Sequence, residues 1–271
     1  MSVVAISQTL GSLGDEIGHA LAERLGWRFA DREIILAAAD RYGEKTVELE
    51  RATESRPSLW ERMADTQRHF LTFLEAIIFE MASADDVVFS GRGVPFVLRD
   101  VRHVLRVRIT APLAARAGRV ARQHAMPQDA ATQLTRQSDR ERAARVKFLY
   151  HMDWDDPMLY DLVINTERTD VEECVRLIQR ALEAPRMQPT ETSRGALRDL
   201  SLTVRAKAAL LVDGQTRLLP LAVSCKNSEV VISGVVPHEG LRKIAEESVA
   251  RISGVTRVRN DVSVSGQPPV L

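Results

Sequence analysis

Three separated stretches carry residue types that could handle a phosphate group. The first is Ser7-Gln8-Thr9-Leu10-Gly11-Ser12-Leu13-Gly14-Asp15-Glu16, which follows an apolar run and leads into helical periodicity. A glycine turn between a strand and a helix lets backbone N–H groups approach anionic oxygens, and the helix dipole favours negative charge there. Taken alone, the same turn is equally a sharp strand-to-helix connection. The second stretch is Ser90-Gly91-Arg92-Gly93, closing the apolar run Val87-Val88-Phe89. It puts an arginine at the carboxyl edge of a parallel sheet, where ligands of α/β folds bind. The third is Asp139-Arg140-Glu141-Arg142-Ala143-Ala144-Arg145, whose spacing sets Asp139, Arg142 and Arg145 on one helical face. Arginines closing over a glycine turn suit phosphoryl transfer, whose transition state spreads charge over three oxygens. The plainer alternative is a surface helix with Asp139 and Glu141 as ion-pair partners.

These stretches need elements to position them. Val3–Ile6, Trp27–Phe29, Val87–Phe89, Val104–Ile109 and Leu162–Ile164 read as five short strands. Helical periodicity separates them: Ile17, Leu21 and Leu25 recur every fourth residue, and Gly26 ends that helix. Residues 33–81 read as mostly helical, with Pro57 opening a long helix, and further helices follow Pro112, Pro127 and Asp170. Strands alternating with helices imply right-handed crossovers and a parallel sheet between helical layers. Composition then shifts at 184–196, which holds two prolines and no apolar periodicity and reads as a linker. Beyond it, 197–266 reads as a small α+β unit: helix Leu197–Val212, strands Leu218–Ser224 and Glu229–Val236, helix His238–Ile252 and strand Val255–Val264.

The 271 residues carry no net charge, yet the charge is segregated. Residues 1–89 hold 9 basic and 16 acidic residues, whereas 90–147 hold 13 basic and 4 acidic. Arginine makes up most of that excess and suits bidentate phosphate recognition. Arg116, Arg119 and Arg122 read instead as a solvated helix face. No aromatic residues interleave with the arginines, which argues against nucleic acid. Two cysteines without C-x-x-C spacing make neither a disulfide framework nor a zinc site. No apolar run approaches the ~20 residues of a membrane span, and the N-terminus has no signal-peptide pattern. A cytoplasmic, reduced protein is expected.

Val4–Ser7, Gly11–Gly14, Glu16-Ile17, Leu21–Trp27 and Asp31–Ile35 together resemble the opening of the cytidylate kinase-like family. Ser90–Arg92, Asp139–Arg142, Asp153-Trp154 and Tyr160–Thr166 continue the likeness in order over roughly residues 1–183. The resemblance implies a P-loop nucleoside monophosphate kinase fold, with ATP as donor, Mg²⁺ as cofactor and CMP or dCMP as acceptor. It implies that Gly11, Ser12, Leu13 and Gly14 line the donor phosphates and that Arg92 meets the acceptor phosphate. Asp139 and Arg142 then sit at the lid, with Asp139 touching substrate; Arg140, Arg142 and Arg145 act on the transferred group, and the 57–82 helix belongs to the acceptor-binding insertion. Asp15 departs from the pattern, because the family places a basic residue after its second glycine.

Residues 197–266 resemble a BON domain, most specifically in Gly254-Val255-Thr256-Arg257-Val258-Arg259-Asn260. This resemblance implies a protein or small-ligand partner. A net charge of +3 over the unit is too weak to hold it on anionic lipid. Three functions follow as expectations: a cytidylate kinase, a nucleotide-binding regulator that signals through the BON domain, or a kinase of another small acceptor. The histidines show no metal-ligand spacing, and Asp153, Asp155 and Asp156 read as loop caps.

Overall fold

The computed structural model describes residues 2–47, 49 and 64–265. They divide into two compact units that do not follow the chain in order. The first comprises the described residues of Met1–Ile34, Thr53–Ala64 and Ala84–Thr190; the second, those of Ile35–Ala52, Asp65–Ser83 and Glu191–Leu271.

In the first unit, β1 (Val3–Gln8), β2 (Arg28–Ala30), β3 (Val87–Ser90), β4 (Val104–Thr110) and β5 (Leu162–Asn165) form one sheet in the order β2-β3-β1-β4-β5. Every pairing is parallel, as the alternation of strands and helices requires. β1 lies in the middle, and its Val3–Ile6 run is fully buried, which explains a strand without polar alternation. Helices α1 (Gly14–Leu25) and α7 (Val171–Leu182) cover one face. There Ile17, Leu21, Cys174, Val175 and Ile178 pack on Val4, Ile6, Val107 and Ile109. A separate cluster gathers Phe96, Val146, Trp154 and Tyr160, drawn from the short helix α4 (Val94–Val97), α6 (Gln128–Tyr150) and the loop before β5. Helix α5 (Leu113–Gln123) follows β4 directly. Because all five strands point the same way, Gln8, Ser90, Thr110 and Asn165 end at one edge of the sheet.

The second unit holds most of α2 (Arg32–Tyr42) and of α3 (Ala64–Ser83) together with the C-terminal segment. Tyr42 stacks on Phe73 with ring centroids 4.4 Å apart, and Arg41 pairs with Glu80. The position of Pro57, expected to open this helix, lies outside the described residues. Helix α8 spans Glu191–Val212 and so begins inside the stretch read as a linker. Pro189 just ahead of it and Glu191 in its first turn favour that start, and Ser193 and Leu197 are already buried. Strands β6 (Leu221–Lys226), β7 (Glu229–Val236) and β8 (Arg257–Val264) form the second sheet, β6 antiparallel and β8 parallel to β7. β6 starts at Leu221 rather than Leu218, because backbone turns from Asp213 to Leu219 come before Pro220. A two-residue turn at Asn227-Ser228, both at positive φ, joins β6 to β7 as in a type I′ hairpin. Helix α9 (Glu239–Ala250) packs its Leu241, Ala245 and Val249 on Val230 and Ile232. Both architectures are those expected from the sequence.

Candidate functional site at the carboxyl edge of the first sheet

The bend from Thr9 to Leu13 is held from outside by side chains distant in sequence. Arg116 donates from Nε to the Ala111 carbonyl at 2.8 Å and from Nη1 to the Leu10 carbonyl at 3.3 Å. The same guanidinium forms a fork with Asp139, at 3.0 and 2.7 Å. Arg119 donates to the carbonyls of Gly11 (3.1 Å) and Thr166 (2.6 Å), and the Thr166 hydroxyl donates to the Ser12 carbonyl at 3.0 Å. Arg142 reaches the Gln8 carbonyl at 2.6 Å. The carbonyls of Gln8, Leu10, Gly11 and Ser12 are thus each held by a guanidinium or a hydroxyl. The amides of Thr9 and Ser12 are likewise engaged, each donating to a protein carbonyl at 3.2 Å, those of Ile109 and Thr9 respectively.

The four positions expected to meet a cofactor lie in this bend, but much of their room is taken by the protein itself. Gly11, at φ 77°, lets the α5 backbone approach: a Cβ there would stand 2.6 Å from the Arg116 carbonyl oxygen. The Ser12 hydroxyl turns inward, 2.7 Å from the Thr9 carbonyl and 3.1 Å from that of Ile109, and its backbone N–H donates to the Thr9 carbonyl at 3.2 Å. Leu13 takes the left-handed region at φ 66° and packs its side chain on the core. Gly14 makes room for Gln8, since a Cβ would fall 1.9 Å from the Gln8 Oε1. Beside it, Asp15 accepts from the Gln8 amide at 2.6 Å and from the Ser90 hydroxyl at 2.9 Å.

The arginines divide into those that converge and those that do not. Arg142 is half-buried against the bend; desolvation pushes its pKa down, while the charges of Asp15 and Asp139 push it back up. Arg92, itself at φ 53°, donates to Asp31 at 2.8 Å. Burial raises the Asp31 pKa, and Arg92 opposes that shift. Asp139, expected to touch substrate, is occupied by Arg116. Arg145 lies half-buried about 60° around α6 from Arg142. Arg140 is exposed and about 200° around the helix from Arg142, so the fold does not bring it to this edge. Arg116 and Arg119 are corrections too: neither lies on a solvated face, and only Arg122 does.

Arg108 on β4 escaped the sequence reading. Its guanidinium is buried, donates to the Ser7 hydroxyl at 3.0 Å and to Asp155 at 3.0 Å, and stacks 3.6 Å from the Trp154 ring centroid. Trp154 donates from Nε1 to the same hydroxyl at 3.0 Å. A cavity of about 110 Å³ lies beside this network, lined by Arg108, Thr110, Asp155, Pro157, Tyr160 and Val163. None of the expected site residues lines it. Asp153 and Asp156 accept from the backbone N–H groups of Asp155 and Met158, so they cap turns. Among the described residues no group of three or more His, Cys, Asp or Glu side chains is placed to hold a metal.

The model of the cytidylate kinase-like family matches residues 3–168, and that of the BON domain residues 198–266. The chain belongs to the cytidylate kinase-like family. Cytidylate kinases of Haloarcula marismortui and Methanopyrus kandleri are each 26% identical to it. Each alignment spans 67% of this chain, with 90% and 93% of the respective relatives. The crystal structure of an uncharacterized protein from Eubacterium ventriosum superposes with a TM-score of 0.54 at 18% identity, covering 68% of this chain and 99% of that one. That likeness concerns the fold alone. Within the family's region, the glycines of the bend, Arg92 and Arg142 lie at one sheet edge, and Asp15 stands where a basic residue is expected. Among the described residues no helix is long and apolar enough to cross a membrane.

Proposed function

We propose that the first unit is a nucleoside monophosphate kinase-like phosphotransferase, taking ATP with Mg²⁺ as donor and a pyrimidine monophosphate such as CMP or dCMP as acceptor. The observation that carries this reading is the Arg142 bond to the Gln8 carbonyl, with Arg92 at the end of the neighbouring strand. Two guanidinium groups from distant segments share one edge with a helix N-terminus. The bend amides other than those of Thr9 and Ser12, together with Arg142, suit the inner phosphates of a nucleotide, and Arg92 suits the acceptor phosphate once Asp31 yields it. Catalysis there would rest on positioning and charge neutralisation, because an acceptor phosphate is already ionised. Any Mg²⁺ would arrive with the nucleotide.

A second reading is favoured by the contacts of Asp15 with Gln8 and Ser90, which fill the mouth of the bend. On that reading the unit binds nucleotide with little turnover, and the BON domain passes occupancy to a protein partner in the cytoplasm. A coupled assay of ADP release with ATP, Mg²⁺ and CMP or dCMP separates the two. Acceptor-dependent ADP release that Arg142→Met abolishes supports the kinase. Nucleotide binding by calorimetry without release supports the regulator, and a rise in turnover on Asp15→Arg would locate the defect at that position.

A further inference from the structure

Arg108 is a buried cation with an exposed counter-ion, and both line the same cavity. Its side chain is 6% exposed, whereas that of its partner Asp155 is 72% exposed. Nη1 donates to the Ser7 hydroxyl and Nη2 to Asp155, each at 3.0 Å, and each of these nitrogens carries a second N–H. The Trp154 ring stacks on the guanidinium, and Trp154 is itself bonded to Ser7 through Nε1 and to the Tyr160 hydroxyl through its carbonyl. The guanidinium is therefore held in place whether or not Asp155 stays on it. Burial pushes the Arg108 pKa down, and Tyr160 and Asp155 oppose that shift. An anion at this point offsets the cost of a desolvated charge.

The cavity of about 110 Å³ has a mixed wall. Arg108 and Thr110 make its polar side, and Pro157, Val163 and the Tyr160 ring are apolar. Val163 and Asp155 are both exposed, so solvent reaches the space. A hydrated phosphate would leave the apolar wall without a partner, whereas a short carboxylic acid brings an anionic head and an apolar tail. An apolar cavity of about 150 Å³ takes benzene, so this one has room for about three or four carbons. We propose that this cavity is a binding site for a small carboxylate, which takes the place of Asp155 on the Arg108 guanidinium. Asp155 is the resident carboxylate, and its exposure lets it leave for water as another arrives, so the buried cation is never without an anion. None of the residues proposed to meet a nucleotide lines the cavity, and the inference stands apart from that reading.

Titration of the full chain with sodium butyrate at constant ionic strength tests this, followed by calorimetry and by tryptophan emission, which reports on Trp154 against the guanidinium. The wild type should saturate with a Kd of about 1 mM, as suits so small a ligand. Butyramide has the shape without the charge and should bind at least about tenfold more weakly, and so should inorganic phosphate. Asp155→Asn removes the competing charge at an exposed position and should tighten butyrate about fivefold. Val163→Phe fills the cavity from its exposed strand and should abolish saturation. Absence of saturable butyrate binding, or butyramide or phosphate bound as tightly as butyrate, would overturn the inference. So would an Asp155→Asn protein that binds butyrate no better than the wild type, or a Val163→Phe protein that binds it equally well.

Discussion

Arg116 serves the Leu10 and Ala111 carbonyls and the Asp139 carboxylate with a single guanidinium, and substitution can separate those tasks. Arg116→Met leaves Asp139 without its forked partner in half-buried surroundings, which should cost about 3–5 kcal/mol in urea unfolding. Arg116→Lys restores the charge but not the planar fork and should recover less than half of that. Asp31 makes a prediction about pH. Burial places its folded pKa above the ordinary aspartate value, so its contribution is full on the acid side and is lost as pH rises through the raised value. Asp31→Asn should therefore gain stability relative to the wild type as pH rises from about 4 to 7, read by denaturant titration at each pH. A difference that narrows with rising pH would contradict the assignment. Arg92 and Arg142 were legible because glycine and arginine spacing carries a chemical signal. Arg116 and Arg119 were not, since their partners, the Leu10, Gly11 and Thr166 carbonyls and the Asp139 carboxylate, come from other elements, and a helix pattern shows a polar stripe without showing what it faces.

Among elements, the bend sets the geometry of the site, and its glycines should differ in cost according to what each admits. Gly11 combines a left-handed φ with backbone 2.6 Å from a would-be Cβ, and backbone cannot move aside cheaply. Gly11→Ala should lose about 3 kcal/mol or more. Gly26 has a similar φ but nothing within 4 Å, so Gly26→Ala should lose only about 1 kcal/mol. Gly14→Ala must lift Gln8 off the bend, including its Cβ at 2.6 Å, and should fall between them at about 1–3 kcal/mol. Denaturation midpoints of the three variants give the order directly, and a Gly26→Ala loss equal to that of Gly11→Ala would remove the close-approach argument. The five parallel strands could be read from short apolar runs, and most clearly β1, β3 and β4, whose burial on both faces leaves a continuous signature. The start of α8 could not, because Gly195 and the polar run after Pro189 hide a helix that tertiary burial of Ser193 and Leu197 supports.

At the scale of the molecule, the family regions 3–168 and 198–266 follow one another along the chain, whereas the compact units draw on interleaved segments. Local periodicity shows that α2 and α3 have apolar faces but not which partner covers them. Within the second unit, Ile35, Ala38, Phe70, Phe73, Leu74, Ile77 and Ile78 are buried, and the Arg205 charge on α8 acts on the Tyr42 hydroxyl of α2. A chain ended at Thr190 would keep those helices and lose the rest of their unit. Each large apolar side chain returned to water costs about 1.5–3 kcal/mol, so several together exceed the stability of most domains. The truncated chain should keep helical and strand signals in far-UV circular dichroism, bind a hydrophobic dye strongly and sediment as aggregates. The full chain should do neither of the last two. A truncated protein that stays monomeric and silent to the dye would mean that α2 and α3 have their cover elsewhere, and the family's region would then stand without the BON domain.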